Sequence, residues 1–148
     1  MMKNLVLALA VMLFGYTASA QDTKALLDSY LKVKNALVKS DSKAASEAVA
    51  AFSKKISGEK DFAQKATLLK SVEKMNKAAN LEKQRAAFND VSVQMWKLVQ
   101  NTAQVDEPVY YQYCPMKKAY WLSSEKEIKN PYYGSSMLTC GSISDTKK

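Results

Sequence analysis

Four sulfur atoms near the C-terminus are the residues best suited to chemistry. They are Cys114, Met116, Met137 and Cys140, in the strings Cys114-Pro-Met116 and Met137-Leu-Thr-Cys140. Both cysteines of the chain lie here, each with a methionine close by. Cysteine thiolate and methionine thioether are soft ligands that favour Cu(I), and by extension Ag(I), over Mg, Ca or Mn. A Cys-x-Met spacing in an extended strand places both sulfurs on one face. A Met-x-x-Cys spacing brings two sulfurs together in a tight turn. The competing reading is a Cys114–Cys140 disulfide, worth roughly 3 kcal/mol by loop closure, with Met116 and Met137 as ordinary packing residues. An oxidised pair can also be the resting form of a metal-binding pair.

Other chemistries are poorly served. The chain contains no histidine, which excludes Ser-His-Asp and Cys-His catalysis and histidine-containing zinc sites. No acid/base pair stands out, and the Cys-x-x-Cys of a thiol oxidoreductase is missing. The expectation is therefore a non-enzyme. The net charge is +8, but Arg85 is the only arginine and the lysines are spread along helices as solvated faces. Nucleic-acid binding is not expected.

The N-terminus has the form of an export signal over residues 1–20. Lys3 is followed by an apolar run from Leu5 to Phe14 and a small-residue Ala18-Ser-Ala20 cleavage site. The run is too short to span a bilayer. The expected mature chain, residues 21–148, is a single domain in the periplasm with no transmembrane segment. In an oxidising compartment two cysteines most often pair, which strengthens the disulfide alternative.

The elements that must position the sulfurs fall into two parts. Residues 22–104 lack proline and are rich in helix formers. Four helices are expected, at about 23–39, 42–56, 61–78 and 81–103. Their inward sets are Leu26, Tyr30, Val33, Leu37; then Ala45, Ala48, Val49, Phe52, Ile56; then Phe62, Ala66, Leu69, Val72, Met75; then Leu81, Phe88, Val91, Met95, Leu98. Asp41 or Ser42 and Asn80 read as helix caps, Asp61-x-x-Gln64 as a capping-box variant, and Gly58 as a stop. Short connections favour an up-and-down four-helix bundle, an all-α fold.

The segment 106–141 differs in character. It holds six of the eight tyrosines, Trp121 and every proline. Tyr110–Tyr113 has strand-like composition, Lys117–Ile128 fits a short strand or a helical turn, and Asn130-Pro131 and Gly134-Ser-Ser read as turns. The segment is expected to pack on the bundle, its aromatic residues as a packing cluster, with Ser142–Lys148 frayed.

The strings Tyr113-Cys-Pro-Met, Ala119-Tyr-Trp-Leu-Ser, Asn130-Pro-Tyr-Tyr-Gly and Met137-Leu-Thr-Cys-Gly resemble an exported bacterial family catalogued as domain of unknown function 3347. Leu81-Glu, Gln84-Arg, Phe88 and Ser92 look like that family's fourth-helix pattern. The resemblance implies a periplasmic helical protein without an assigned activity. The same domain occurs attached to adaptor subunits of copper and silver efflux pumps. Cys-Pro-Met is also similar to the Tyr-x-Cys-Pro-Met-His motif of short heavy-metal-binding domains, although Lys117 stands where that motif has histidine. By this likeness Cys114, Met116, Met137 and Cys140 become metal-ligand candidates. An efflux adaptor or another envelope protein becomes the expected partner.

Overall fold

The structure, a computed structural model, describes residues 20–148; residues 1–19, with all but the last residue of the expected export signal, lie outside it. The alanine- and lysine-rich half forms α1 (Thr23–Val38), α2 (Ser42–Gly58), α3 (Lys65–Asn76) and α4 (Leu81–Val99). Three of the four helices start on a side-chain cap. Asp22 accepts from the Ala25 N–H at 2.9 Å, Asp41 from Ala44 at 2.9 Å and Asn80 from Lys83 at 3.0 Å. Asn80 thereby separates α3 from α4. The expected cap at Asp61 is not used. Gln64 takes the cap position without a side-chain bond, and α3 begins four residues late. Its phase shifts accordingly: Leu68 is buried and Ala66 is exposed.

Each helix packs on the next, and α4 closes back on α1. The apolar stripes meet in one core, where Tyr30 stacks on Phe88 at 5.2 Å and meets Phe52 edge-on at 6.4 Å.

The all-α expectation is overturned. The C-terminal segment forms β1 (Val109–Cys114), β2 (Ala119–Ser123) and β3 (Ser142–Lys147), an antiparallel sheet in the order β2-β1-β3. The fold is therefore mixed α and β. β1 and β2 are an aromatic-rich hairpin around a turn at 115–118. β3 is polar and mostly exposed, and was expected to fray. Pairing with β1, some thirty residues upstream, holds it.

The outer edge of β2 is covered by helices. The Tyr120 N–H donates to Asn89 Oδ1 at 2.8 Å, and the Leu122 N–H donates to Tyr30 Oη at 3.0 Å. Tyr30 Oη lies 2.6 Å from Ser92 Oγ, which donates to the Phe88 carbonyl at 3.0 Å. Each hydroxyl has one hydrogen, so the relay runs from Leu122 N–H through Tyr30 and Ser92 to Phe88. Burial, the dominant effect, pushes the Tyr30 phenol well above its ordinary pKa. An aromatic ladder joins α4 to the sheet: Trp96 on Tyr111 at 4.7 Å, Tyr111 on Tyr120 at 4.5 Å, and Tyr120 against Tyr113 at 4.7 Å.

Candidate functional site

Cys114 is the last residue of β1 and is wholly buried; Cys140 precedes β3 and is half-buried. Their approach follows from strand register. Tyr113 pairs with Ser142, so the chain just before β3 runs alongside the end of β1. Gly141 makes the approach possible. Its φ is +146°, and a Cβ there would sit 2.9 Å from the Tyr113 carbonyl and 2.8 Å from the Trp121 ring. No larger residue fits without moving the strand.

Asn130 anchors the loop that delivers Cys140. It is fully buried. Its Nδ2 donates to the Cys140 carbonyl at 2.7 Å, its N–H donates to the Leu138 carbonyl at 2.7 Å, and its Oδ1 accepts from the Tyr132 N–H at 2.8 Å. Three bonds from one residue tie both ends of the loop together. The sequence marks Asn130-Pro131 only as a turn; the wider role depends on contacts ten residues away.

Both cysteines are free thiols. The Cys140 thiol is raised above its ordinary pKa, first by desolvation and then by the Cys114 sulfur. The register of β1 and β3 brings the two cysteines to the same end of the sheet. Such a pair can take up a soft cation by releasing protons, or close into a disulfide by losing two electrons and two protons.

The methionines are placed differently from the expectation. β1 ends at Cys114, and residues 115–118 form a turn in which Lys118 has a φ of +50°. Cys114 and Met116 therefore do not alternate along one strand face. Met116 is 63% exposed on that turn. Met137 is 37% exposed and ends a short 3-10 turn (Gly134–Ser136), its carbonyl accepting from the Cys140 N–H at 3.1 Å. The Met-x-x-Cys string forms a turn. Among the described residues, no group of three or more His, Cys, Asp or Glu side chains could hold a metal.

Arg85 is a further residue whose role the sequence left unread. Its Nε donates to the Pro131 carbonyl at 2.7 Å, and its Nη2 donates to the Leu37 carbonyl at 2.7 Å and to Ser40 Oγ at 2.9 Å. It thus caps the C-terminal end of α1 and holds the 130–134 loop against it. Gly134, at φ +57°, sits so close that a Cβ would lie 2.8 Å from Nη2 and 2.9 Å from the Val38 carbonyl.

A family model described as Protein of unknown function (DUF3347) matches residues 26–107, more than half of the chain. The chain belongs to this family. The DUF3347 match covers the four helices and stops just before β1, so it bears on the bundle and not on the cysteines. No curated protein and no solved structure matches the chain. Among the described residues no helix is long and apolar enough to cross a membrane.

Proposed function

We propose that this DUF3347 protein is an exported, non-enzymatic carrier or buffer for a soft monovalent cation, Cu(I) or Ag(I). Cys114 and Cys140 supply the thiolates, and Met116 and Met137 supply exchangeable thioethers. The observation that carries the reading is the strand register that brings Cys140 to the end of β1 carrying Cys114, two free cysteines with a methionine two or three residues from each. A burial of Cys114 against a half-open Cys140 gives a cation one anchored and one reachable ligand. The likeness of Cys-Pro-Met to heavy-metal-binding motifs points to the same class of cargo and to an efflux adaptor of the cell envelope as the recipient. This last step rests on motif analogy.

The test is a titration of reduced protein with Cu(I) in competition with a chromophoric chelator. One equivalent should be withdrawn from the chelator, and a Cys114→Ser/Cys140→Ser variant should withdraw none. Equal competition by both proteins would sink the proposal.

A second reading is favoured by the same adjacency together with the complete burial of Cys114. In it, the pair closes a disulfide that pins β3 to β1, and the protein is an interaction module of the envelope. Non-reducing mass spectrometry of protein taken from its native compartment separates the two. A permanent loss of two hydrogens, with no metal uptake after reduction, favours the module.

A further inference from the structure

The exposed large hydrophobic residues among those described are Met116 at 63%, Met137 at 37%, Leu138 at 36% and Ile143 at 41%. None lies on a helix; all fall within a few residues of Cys114 or Cys140 along paired strands and their loops. Among the described residues the helices thus expose no large apolar side chain, while the sulfur-bearing end exposes four. Apolar side chains concentrated at one end of a domain mark a contact surface, and methionine suits such a surface because it adapts to its partner.

Beside this end lies a groove of about 530 Å³, lined by Leu81, Glu82, Arg85, Ala86, Lys117 and Tyr132. Its two cations, Arg85 and Lys117, share it with one carboxylate, Glu82, which leaves the groove net positive. No carboxylate lies within ion-pair distance of Arg85 or Lys117 among the described residues. Arg85 spends its Nε and Nη2 hydrogens on neutral oxygens, and its Nη1 makes no hydrogen bond among the described residues. Lys117 Nζ rests 5.1 Å from the centroid of the Tyr133 ring. The guanidinium is held rigidly, so an incoming anion would meet donors already in place. Lys117 directly follows Met116 on the 115–118 turn, so one turn carries a residue of the groove and a residue of the apolar set.

We propose that this end of the molecule docks an acidic protein segment with flexible apolar side chains, a carboxylate entering the groove between Arg85 and Lys117 while those apolar side chains cover Leu138 and Ile143. Charge complementarity selects the partner and speeds encounter, and the partner's apolar side chains pack on Met116 and Met137. Metal handover at this surface rests on the proposed function. Docking does not, and it is measured on reduced, metal-free protein, so the two ideas fail separately.

The probe is a short fluorescein-labelled peptide of alternating Glu and Met, followed by anisotropy against full-length mature protein. Matched peptides replace Glu by Lys or Met by Ser. The Glu–Met peptide should bind at least about tenfold tighter than the Lys–Met peptide at low salt, with the gap closing as salt screens the groove. Lys117→Glu should weaken it about fivefold or more by reversing one anchoring charge. Leu138→Ser with Ile143→Ser should cost about tenfold through lost apolar burial. All three positions are exposed, and circular dichroism verifies that the variants fold. Equal binding of the Glu–Met and Lys–Met peptides overturns the proposal, as does a Glu–Ser peptide that binds as tightly as Glu–Met. A peptide-free dimer that dissociates on Leu138→Ser also overturns it, because the patch then belongs to a second copy of this chain.

Discussion

Replacing Gly141 by alanine separates the site's geometry from the bundle's stability. The backbone at 141 has a φ of +146°, which L-residues rarely adopt. Holding alanine there costs about 1–3 kcal/mol. The added methyl would also sit 2.9 Å from the Tyr113 carbonyl and 2.8 Å from the Trp121 ring. Trp121 is fully buried, and Tyr113 is in the middle sheet strand, so neither yields easily. Overpacking of this kind adds about 1–3 kcal/mol. The chain can relieve the contact by lifting residues 140–142 from β1, which moves Cys140 away from Cys114. The expected result is a loss of about 2–4 kcal/mol in urea unfolding of the reduced protein, smaller than the sum because β3 can detach. Cu(I) competition should fall in the same variant even where the bundle is fully folded by circular dichroism. Gly58→Ala is the control. Gly58 ends α2 with no atom within 4 Å of a built Cβ, so alanine there should be neutral or stabilise by up to about 1 kcal/mol. If Gly141→Ala matches Gly58→Ala in both stability and Cu(I) binding, the close approach at 141 does not organise the cysteines.

Two further outcomes follow from the helix–sheet junction. Tyr30→Phe keeps the ring stacked on Phe88 but removes the oxygen that accepts from Leu122 and donates to Ser92. The buried Leu122 N–H is left without a partner, and the loss should be about 2–4 kcal/mol in urea unfolding; a cost under about 0.5 kcal/mol would show that the relay does not hold the sheet edge. Alkaline titration should reveal the buried phenols. Desolvation, then the neighbouring Tyr120, pushes Tyr111 up to about 12, and Tyr30 is also raised. A folded pKa above the unfolded one contributes stability that is complete below the unfolded value near 10 and is lost as pH rises toward 12. Tyrosinate absorbance from these residues should therefore appear together with loss of helical signal; ionisation of every tyrosine near pH 10 with the helices intact would refute this.

What the sequence determines by itself is mostly local. The apolar spacing of Leu26, Tyr30, Val33 and Leu37, the caps Asp41 and Asn80, and the heptad set Phe88, Val91, Met95 and Leu98 depend on neighbours within one or two turns, and each is realised. Where local signals compete, the reading slips. Asp61-x-x-Gln64 has the composition of a capping box, yet the α3 backbone turns in only at Lys65.

The sheet lies beyond this local range. Nothing in Ser142-Ile-Ser-Asp-Thr-Lys147 demands a strand; β1 supplies the missing hydrogen-bond partners from across the chain, so a polar tail becomes ordered. The sulfur pair divides in the same way. The soft-ligand character of Cys114, Met116, Met137 and Cys140 is evident from residue type alone. That the chain at Cys140 runs beside the end of β1, that Gly141 must be glycine, and that Asn130 ties the loop depend on register and on contacts across the sheet. Residue type sets which ions the sulfurs prefer, while non-local strand pairing sets whether they can share one.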